Sequence, residues 1–376
     1  MILRRLSVEN IRNHRRTERE FPGSGVLLWG ENGAGKTALL ESIAMLCTSK
    51  SFVTSTDKHL IANGAEFAKV RGEFLSDGGS VYTVDLTMPT NGRKKLLLNN
   101  ANISSVDLVG TFPLVYLAPQ FRTITAGGPS ERRTFLDTVL SQASHSYLTD
   151  LVEYRRALKQ RNALLSEQER GRSTLRELTE TWTHSLARLG ARIARHRLAF
   201  VDGFSPVFTS VYSRIAPDAE VPSLSYSSEV LSCYTAEEPQ AALMEAYQAR
   251  FESDYVRKTT TLGIHRDDLE MQIDGMDVRA SASQGQHKSL LTALKIAEYS
   301  YLNEKVDEQP LLLLDDVFSE LDELRLQRIL SIVSEVGQTF ITSANENVRD
   351  FLPTAWDKYL ALKVRDGQVV ESVVHS

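Results

Sequence analysis

Eight residues near the start of the chain, Gly30, Glu31, Asn32, Gly33, Ala34, Gly35, Lys36 and Thr37, have the spacing G-x-x-x-x-G-K-[ST]. Glycines at these positions let backbone N–H groups close around phosphate oxygens. Lys36 reaches the β- and γ-phosphates, and the Thr37 hydroxyl can ligate Mg²⁺. Ala38 continues into the helix whose N-terminus faces the nucleotide. The alternative, a Gly-rich turn that happens to precede an amphipathic helix, fits less well with the strand before it and the helix after it. A second element is the run "LLLLDD", Leu311 to Asp316. Four leucines suit a parallel strand buried on both faces. Acids at the C-terminal end of such a strand lie where α/β sheets bind ligands. Asp315 is then the Mg²⁺-side carboxylate, held through water or through Thr37. Asp316 is placed to polarise an attacking water, unless both acids are merely solvated strand-end charges. Many ATPases of this layout carry Glu at that position. A base set back by roughly 1 Å can lose about a hundredfold in rate, so slow turnover is expected. The implied chemistry is hydrolysis of ATP with Mg²⁺.

The elements that must position these residues are legible in outline. "GVLLWG" is a buried strand leading into the phosphate loop, and "KTALLESIAML" has helical spacing. "LRRLSVENI", "AKVRGEF", "SVYTVDLTM" and "RKKLLLNN" predict antiparallel strands separated by Gly and Asn turns, and "TFPLVYLAPQ" predicts another buried strand. Long helices follow from Ser130 to about Phe200. Residues 201–250 look mixed and mostly helical, punctuated by Pro206, Pro217, Pro222 and Pro239. After Gly263 strand–helix–strand logic returns through "PLLLLDDVFSELD" and "QTFITSA". The expectation is an α/β P-loop ATPase head made from residues 1–125 and 260–376, interrupted by a helical insertion lobe at 126–259.

Bulk properties exclude several classes. The 376 residues, 42% hydrophobic and 24% charged, are enough for two domains of ordinary globular composition. The opening "MILRRLSVENIRNH" has no apolar h-region, and the longest apolar run, Phe112 to Pro119, is far too short to span a membrane. Cys47 and Cys233 show no metal-type spacing, which suits a reducing cytoplasm. A net charge of −5 argues against a wholly basic nucleic-acid binder but allows a local basic surface.

The tetrad Ser283, Gln284, Gly285 and Gln286 opens a long helix and has no obvious catalytic neighbour. With the phosphate loop, "DD" and "SELD", it resembles the signature of the ATP-binding-cassette heads. In that superfamily the signature Ser and Gly bind the γ-phosphate of ATP held by the opposite subunit. A helix N-terminus at Ser283 supplies N–H groups and partial positive charge for such a role. A two-fold pair would then hold two composite sites. The resemblance also implies that Ser319–Asp322 is a D-loop crossing the interface, with Asp322 near the nucleotide. Gln120 resembles the Q-loop glutamine that senses Mg²⁺ and the attacking water. Thr342 stands where transporters carry a switch histidine.

Nearly end to end, the chain resembles the RecF family of bacterial recombination mediators, related to the structural-maintenance-of-chromosomes heads. The blocks that carry this are "LSVENIRNH", "GGPSERRTFLD", "YRRALKQRNALL", "GIHRDDLE" and "SQGQHKSLLTALKIAE". Two positions depart from the family: Gln120 where it usually has Glu, and Ile264 where it usually has Pro. The resemblance implies ATP-dependent homodimerisation on duplex DNA near gaps or junctions, with RecR and RecO as partners in loading recombinase. It implies no membrane partner.

DNA contacts would come from Lys and Arg and be salt-dependent. Candidates are Arg93, Lys94 and Lys95 on a turn, Arg132 and Arg133, and Arg155, Arg156, Lys159 and Arg161. Between residues 151 and 200 there are eleven Lys/Arg against five Asp/Glu. Solvated helix faces or salt-bridge partners are the competing reading for each cluster. His265, Arg266, Asp267 and Asp268 read as a hydrogen-bonded structural cluster more readily than as a metal or acid–base site. The main rival function is a transporter-type or other cassette ATPase subunit acting through a protein partner. The roughly 160 residues between Gln120 and Ser283 exceed what that role requires. Sustained heptads and an N-K-x-D guanine motif are absent from the sequence.

Overall fold

A run of leucines is stable as a strand only where both faces are covered. Leu311–Asp315 and Gly25–Trp29 are buried along their whole length. They lie inside a six-stranded sheet ordered Gln368–His375, Tyr359–Arg365, Gly25–Trp29, Thr339–Ser343, Leu311–Asp315 and Leu114–Leu117. Its pairings are parallel except that between Tyr359–Arg365 and Gln368–His375. The architecture comes from a computed structural model that describes residues 1–54, 56–216, 220–317, 323–344, 346–352, 356 and 359–375.

A second sheet is antiparallel, in the order His14–Glu20, Ile2–Ile11, Phe67–Leu75, Val81–Pro89, Lys95–Leu98 and Ala101–Asn102. Its strands alternate buried and accessible residues, as expected of a sheet with one face toward a core. The helix Lys36–Thr48 fills that core. Its Leu39, Leu40, Ile43 and Leu46 join Leu3, Val8, Val70 and Leu86 of one sheet and Leu311, Leu313 and Phe340 of the other in one cluster.

By compactness the chain divides into two units. One comprises residues 1–121, 210–219 and 288–376, and the other 122–209 and 220–287. The stretch 260–287, expected with the ATPase ends, groups with the helices for a simple reason. Asp268–Ile273 pairs residue by residue with Pro222–Ser227, and Met276–Asp277 completes a three-stranded sheet. That strand at 222–227 lies in the stretch 201–250, expected to be mixed and mostly helical. "PSLSYS" is short, and what holds it as a strand is a partner more than forty residues away. The helix Arg172–Ile215 also runs straight through Pro206, which was expected to break it. Proline inside a helix costs about 3 kcal/mol. Phe200, Phe204 and Phe208 lie buried and stacked along this helix, with Phe135 edge-on to the first two. Burying one such ring contributes roughly 1.5–3 kcal/mol, so the three together outweigh the proline.

Several basic residues proposed to meet DNA are structural instead. Arg132 is 3% exposed, forks onto Asp268 at 2.8 and 2.7 Å, and donates to the Gly127 carbonyl. Arg161 is 1% exposed and donates to Asp254 at 2.7 Å, Thr260 at 2.8 Å and Thr183 at 3.0 Å. For Arg161, leaving would strand the fully buried Asp254, and Arg132 is itself buried in its fork onto the partly exposed Asp268. Arg133 donates to the Asp267 carbonyl, Arg155 pairs with Asp137, and Lys94 ties its turn to the Ser49 carbonyl and to Asp57. Arg93, Lys95, Arg156 and Lys159 remain exposed, and so does Arg155, at 60%, despite its pair with Asp137.

Removing one member of a buried ion pair leaves an uncompensated charge, at a cost of about 3–5 kcal/mol. Arg161→Met and Asp254→Asn should each lower the unfolding free energy by that order, read from urea denaturation. Their combination should be less destabilised than the two effects added. Additive losses would show that the pair is not energetically coupled.

Candidate functional site

The phosphate loop follows the strand Gly25–Trp29 and enters the helix Lys36–Thr48 with Gly35 at its N-cap. Two of its glycines are required by close approach. Gly30 has φ +146°, and a Cβ there would lie 2.2 Å from the Val364 carbonyl oxygen; at Gly35, φ +113°, it would meet His14 Nε2 at 2.6 Å. Gly33, φ +80°, has open space beside it. This backbone presents N–H groups without side chains in the way, which fits a polyphosphate. Lys36 is buried and lies across the loop, donating to the Gly30 carbonyl at 2.6 Å and the Glu31 carbonyl at 2.8 Å. Burial lowers its pKa, while Asp316 and Asp315 pull the other way.

Asp315 is 5% exposed at the end of its strand. Its Oδ1 accepts from Thr37 Oγ1 at 2.9 Å and from Thr342 Oγ1 at 2.7 Å, and the Tyr116 hydroxyl stands 3.5 Å from Oδ2. Burial raises this carboxyl above its ordinary pKa, and the Thr342 and Thr37 hydroxyls oppose the rise. Asp316 has φ +49°, a left-handed conformation that Asp tolerates better than most residues, and its N–H donates to Thr342 Oγ1 at 2.9 Å. Thr342 thus sets the geometry of both acids. Gln120 is hydrogen-bonded to the Tyr116 hydroxyl. A Thr hydroxyl beside a buried carboxylate is a hard-oxygen donor set that suits Mg²⁺. Thr37 and Asp315 are the residues that would hold it.

Sequence reasoning missed a turn that braces the loop. Asn13 Nδ2 donates to the Gly33 carbonyl at 3.0 Å, and His14 Nε2 donates to the Gly35 carbonyl at 3.0 Å, while Thr17 donates to His14 Nδ1. Burial keeps His14 neutral by lowering its pKa. Arg12 forks onto Glu41, a fully buried carboxylate on the phosphate-loop helix, at 2.8 and 3.1 Å. The "RNH" triplet lies in one of the blocks of family resemblance, but nothing in its spacing ties it to Gly30–Thr37.

Ser283, Gln284, Gly285 and Gln286 belong to the other compact unit. Here the tetrad forms a capping box: Ser283 Oγ accepts from the Gln286 N–H at 3.2 Å, and Gln286 Oε1 accepts from the Ser283 N–H at 2.7 Å. Gln286 Nε2 donates to Glu220 at 2.9 Å. Ser283 and Gln284 are exposed. Asp322 lies outside the described residues.

The His265 cluster is structural, as its composition suggested. Its Nε2 donates to the Thr260 carbonyl at 3.1 Å and its Nδ1 accepts from Tyr154 at 2.9 Å. Asp267 accepts from Tyr226 at 2.5 Å and Tyr234 at 2.9 Å, and Asp268 holds Arg132. Among the described residues no group of three or more His, Cys, Asp or Glu could hold a metal ion.

Comparison with known proteins places this geometry. Residues 2–367 match the model of the RecF/RecN/SMC N-terminal domain. The chain belongs to the RecF/RecN/SMC family. It is 39% identical to the DNA replication and repair protein RecF of Prosthecochloris aestuarii, over 94% of this chain and 96% of that one. The protein of the same name from Salinibacter ruber is 36% identical over 98% and 91%. The solved recombination mediator RecF-ATP of the RecFOR pathway superposes with a TM-score of 0.88 at 29% identity, covering 99% of both chains. An Smc head bound to the C-winged helix domain of ScpA shares the fold at a TM-score of 0.59 and 14% identity. The fold is therefore that of a RecF- and SMC-like ABC-type ATPase head, in an ATP-binding family. Among the described residues no helix is long and apolar enough to cross a membrane.

His265 titrates at about 4 in the fold because burial disfavours the imidazolium. Its unfolded value is about 6.5, so the neutral ring stabilises the fold fully above that pH and loses its contribution as pH falls toward 4. Between pH 7.5 and 5 the wild type should lose about 2 kcal/mol more than His265→Gln, compared by urea denaturation at both pH values. An equal loss in the two proteins would show that His265 does not carry the dependence.

Proposed function

We propose that this chain is a RecF-type DNA replication and repair ATPase that dimerises around ATP and clamps duplex DNA. The observation that carries the reading is the meeting of Thr37, Thr342 and Asp315 beside the phosphate loop, in a chain that also presents an exposed, capped signature serine. Lys36 would leave the Gly30 and Glu31 carbonyls for the β- and γ-phosphates, which satisfy its ammonium better than two neutral oxygens do. Mg²⁺, when bound, would neutralise charge on the β- and γ-phosphate oxygens. Water attacks the γ-phosphorus, the bond to the β,γ-bridging oxygen breaks, and ADP leaves. Asp316 orients that water and accepts its proton. The Ser283 O–H and the N–H groups at the start of its helix supply donors for the γ-phosphate of a second copy's nucleotide, so each of two composite sites needs both protomers. Such a site hydrolyses slowly, as befits a switch.

The names of the relatives, DNA replication and repair proteins and a mediator of the RecFOR pathway, favour DNA as a partner; the reading adds duplex at gaps or junctions, RecR and RecO as protein partners in recombinase loading, and the cytoplasm. Arg93, Lys95, Arg156 and Lys159 are exposed and suited to phosphate contact without base readout.

Fluorescence anisotropy of a labelled duplex, with ATP, with ADP and without nucleotide, tests the clamp. Only ATP should give tight binding that weakens with salt, and Lys36→Met and Ser283→Arg should each abolish it. DNA binding indifferent to nucleotide would overturn the reading. A separate phosphate-release assay tests the short base: Asp316→Glu should hydrolyse faster, by up to about a hundredfold, since its carboxylate reaches further toward the water. A Glu variant no faster than wild type would remove the argument for slow turnover.

A further inference from the structure

Asp315 Oδ1 is fully engaged by two threonines, yet Oδ2 faces a different residue that no motif marks. Tyr116 sits on the strand Leu114–Leu117, paired in parallel register with Leu313. Asp315 is two residues beyond Leu313 and so on the same face of the sheet. Two residues of strand rise about 6.6 Å, a distance that a tyrosine ring and its hydroxyl can bridge. The ring is 6% exposed and pinned on two sides: Phe52 stacks on it with centroids 3.5 Å apart, and Phe121 meets it edge-on at 5.3 Å. Its hydroxyl is held 3.5 Å from Asp315 Oδ2 and is hydrogen-bonded to Gln120.

We infer that Tyr116 is a positioning residue for ATP hydrolysis, linking Gln120 to the second oxygen of Asp315 so that the placement of one fixes the other. In this link the phenol O–H is directed at the carboxylate, 3.5 Å away, and the amide of Gln120 would donate to the phenol oxygen. Burial and the neighbouring carboxylate hold the phenol protonated, which keeps it a donor. The aromatic pair supplies what a long contact needs, a ring that cannot rotate away. Gln120 and Phe121 share the turn Pro119–Arg122, so the segment that presents the amide also pins the ring. Thr37 and Thr342 hold Asp315 in place; Tyr116 sets which way Oδ2 is aimed.

The inference rests on the ATPase reading above, and the test separates the two. Tyr116→Phe keeps both ring contacts and removes only the hydroxyl. Losing one net hydrogen bond of about 1 kcal/mol should lower kcat for ATP by about fivefold to tenfold. The Mg²⁺ concentration giving half of the fluorescent-ATP binding signal should rise by about the same factor, because Asp315 Oδ2 is no longer aimed. Nucleotide affinity at saturating Mg²⁺ should stay within about twofold, since the phosphate loop is untouched. The thermal midpoint should hardly move. Gln120→Ala should lower kcat too, and the double variant Tyr116→Phe with Gln120→Ala should be no slower than the slower single one, because the two act through one link. If the wild type hydrolyses ATP and Tyr116→Phe matches it in rate and Mg²⁺ dependence, this inference fails and the ATPase reading stands. Multiplying single effects in the double variant would also overturn the link. A wild type that binds ATP without hydrolysing it overturns both.

Discussion

A carboxylate withdrawn from water at the end of a leucine strand is the constraint around which this ATPase head is arranged. Isolated in an apolar interior, such a group would take up a proton, because charge is too costly there. Asp315 is 5% exposed and answers with donors from three directions: the helix of the phosphate loop through Thr37, the neighbouring strand through Thr342, and the strand on its other side through Tyr116. Each donor arrives only if its element is in register. Asp315 stands opposite Thr342, and Tyr116 stands opposite Leu313. A slip of one residue would turn the donors to the other face of the sheet. The site and the sheet are thus one specification.

The phosphate loop obeys the same logic with neutral groups. Its carbonyls would be orphaned when the loop bends to expose N–H groups, and Asn13, His14 and the Lys36 ammonium take them up. Gly30 and Gly35 are glycines because backbone and side chains pack where a Cβ would stand. The loop's shape is therefore held before any nucleotide arrives, and the cost of ordering it falls on folding rather than on binding.

The helical unit applies burial to charge of the opposite sign. Arg132, Arg161 and Arg197 are each at most 3% exposed, and each is matched by an aspartate and further oxygens. A count of basic residues along these helices suggested an interface with nucleic acid, whereas part of that charge holds the unit together. The signature tetrad serves its own helix: Ser283 and Gln286 close its end reciprocally.

Local chemistry was legible in the sequence wherever the signal was local. The spacing from Gly30 to Thr37, the leucine run ending in Asp315 and the tetrad at Ser283 are contiguous, and a contiguous run specifies its own backbone. Tyr359–Arg365 and Gln368–His375 had no reading beforehand, while the long helices and several strands of the two six-stranded sheets followed from their periods. Pro206 and the strand Pro222–Ser227 did not, because in both cases distant packing overrode a local preference. Likewise no pattern separated Arg161, which is buried, from Arg156, which is exposed, although they lie on one helix. Asn13, His14 and Tyr116 lie 20 residues or more from the groups they hold, and nothing near them in the chain records the partner. The residues that carry chemistry were thus determined by the sequence itself. Which residues aim them, and which charges are free to meet a partner, was decided only by the tertiary structure, because hydrogen bonding and desolvation depend on neighbours in space.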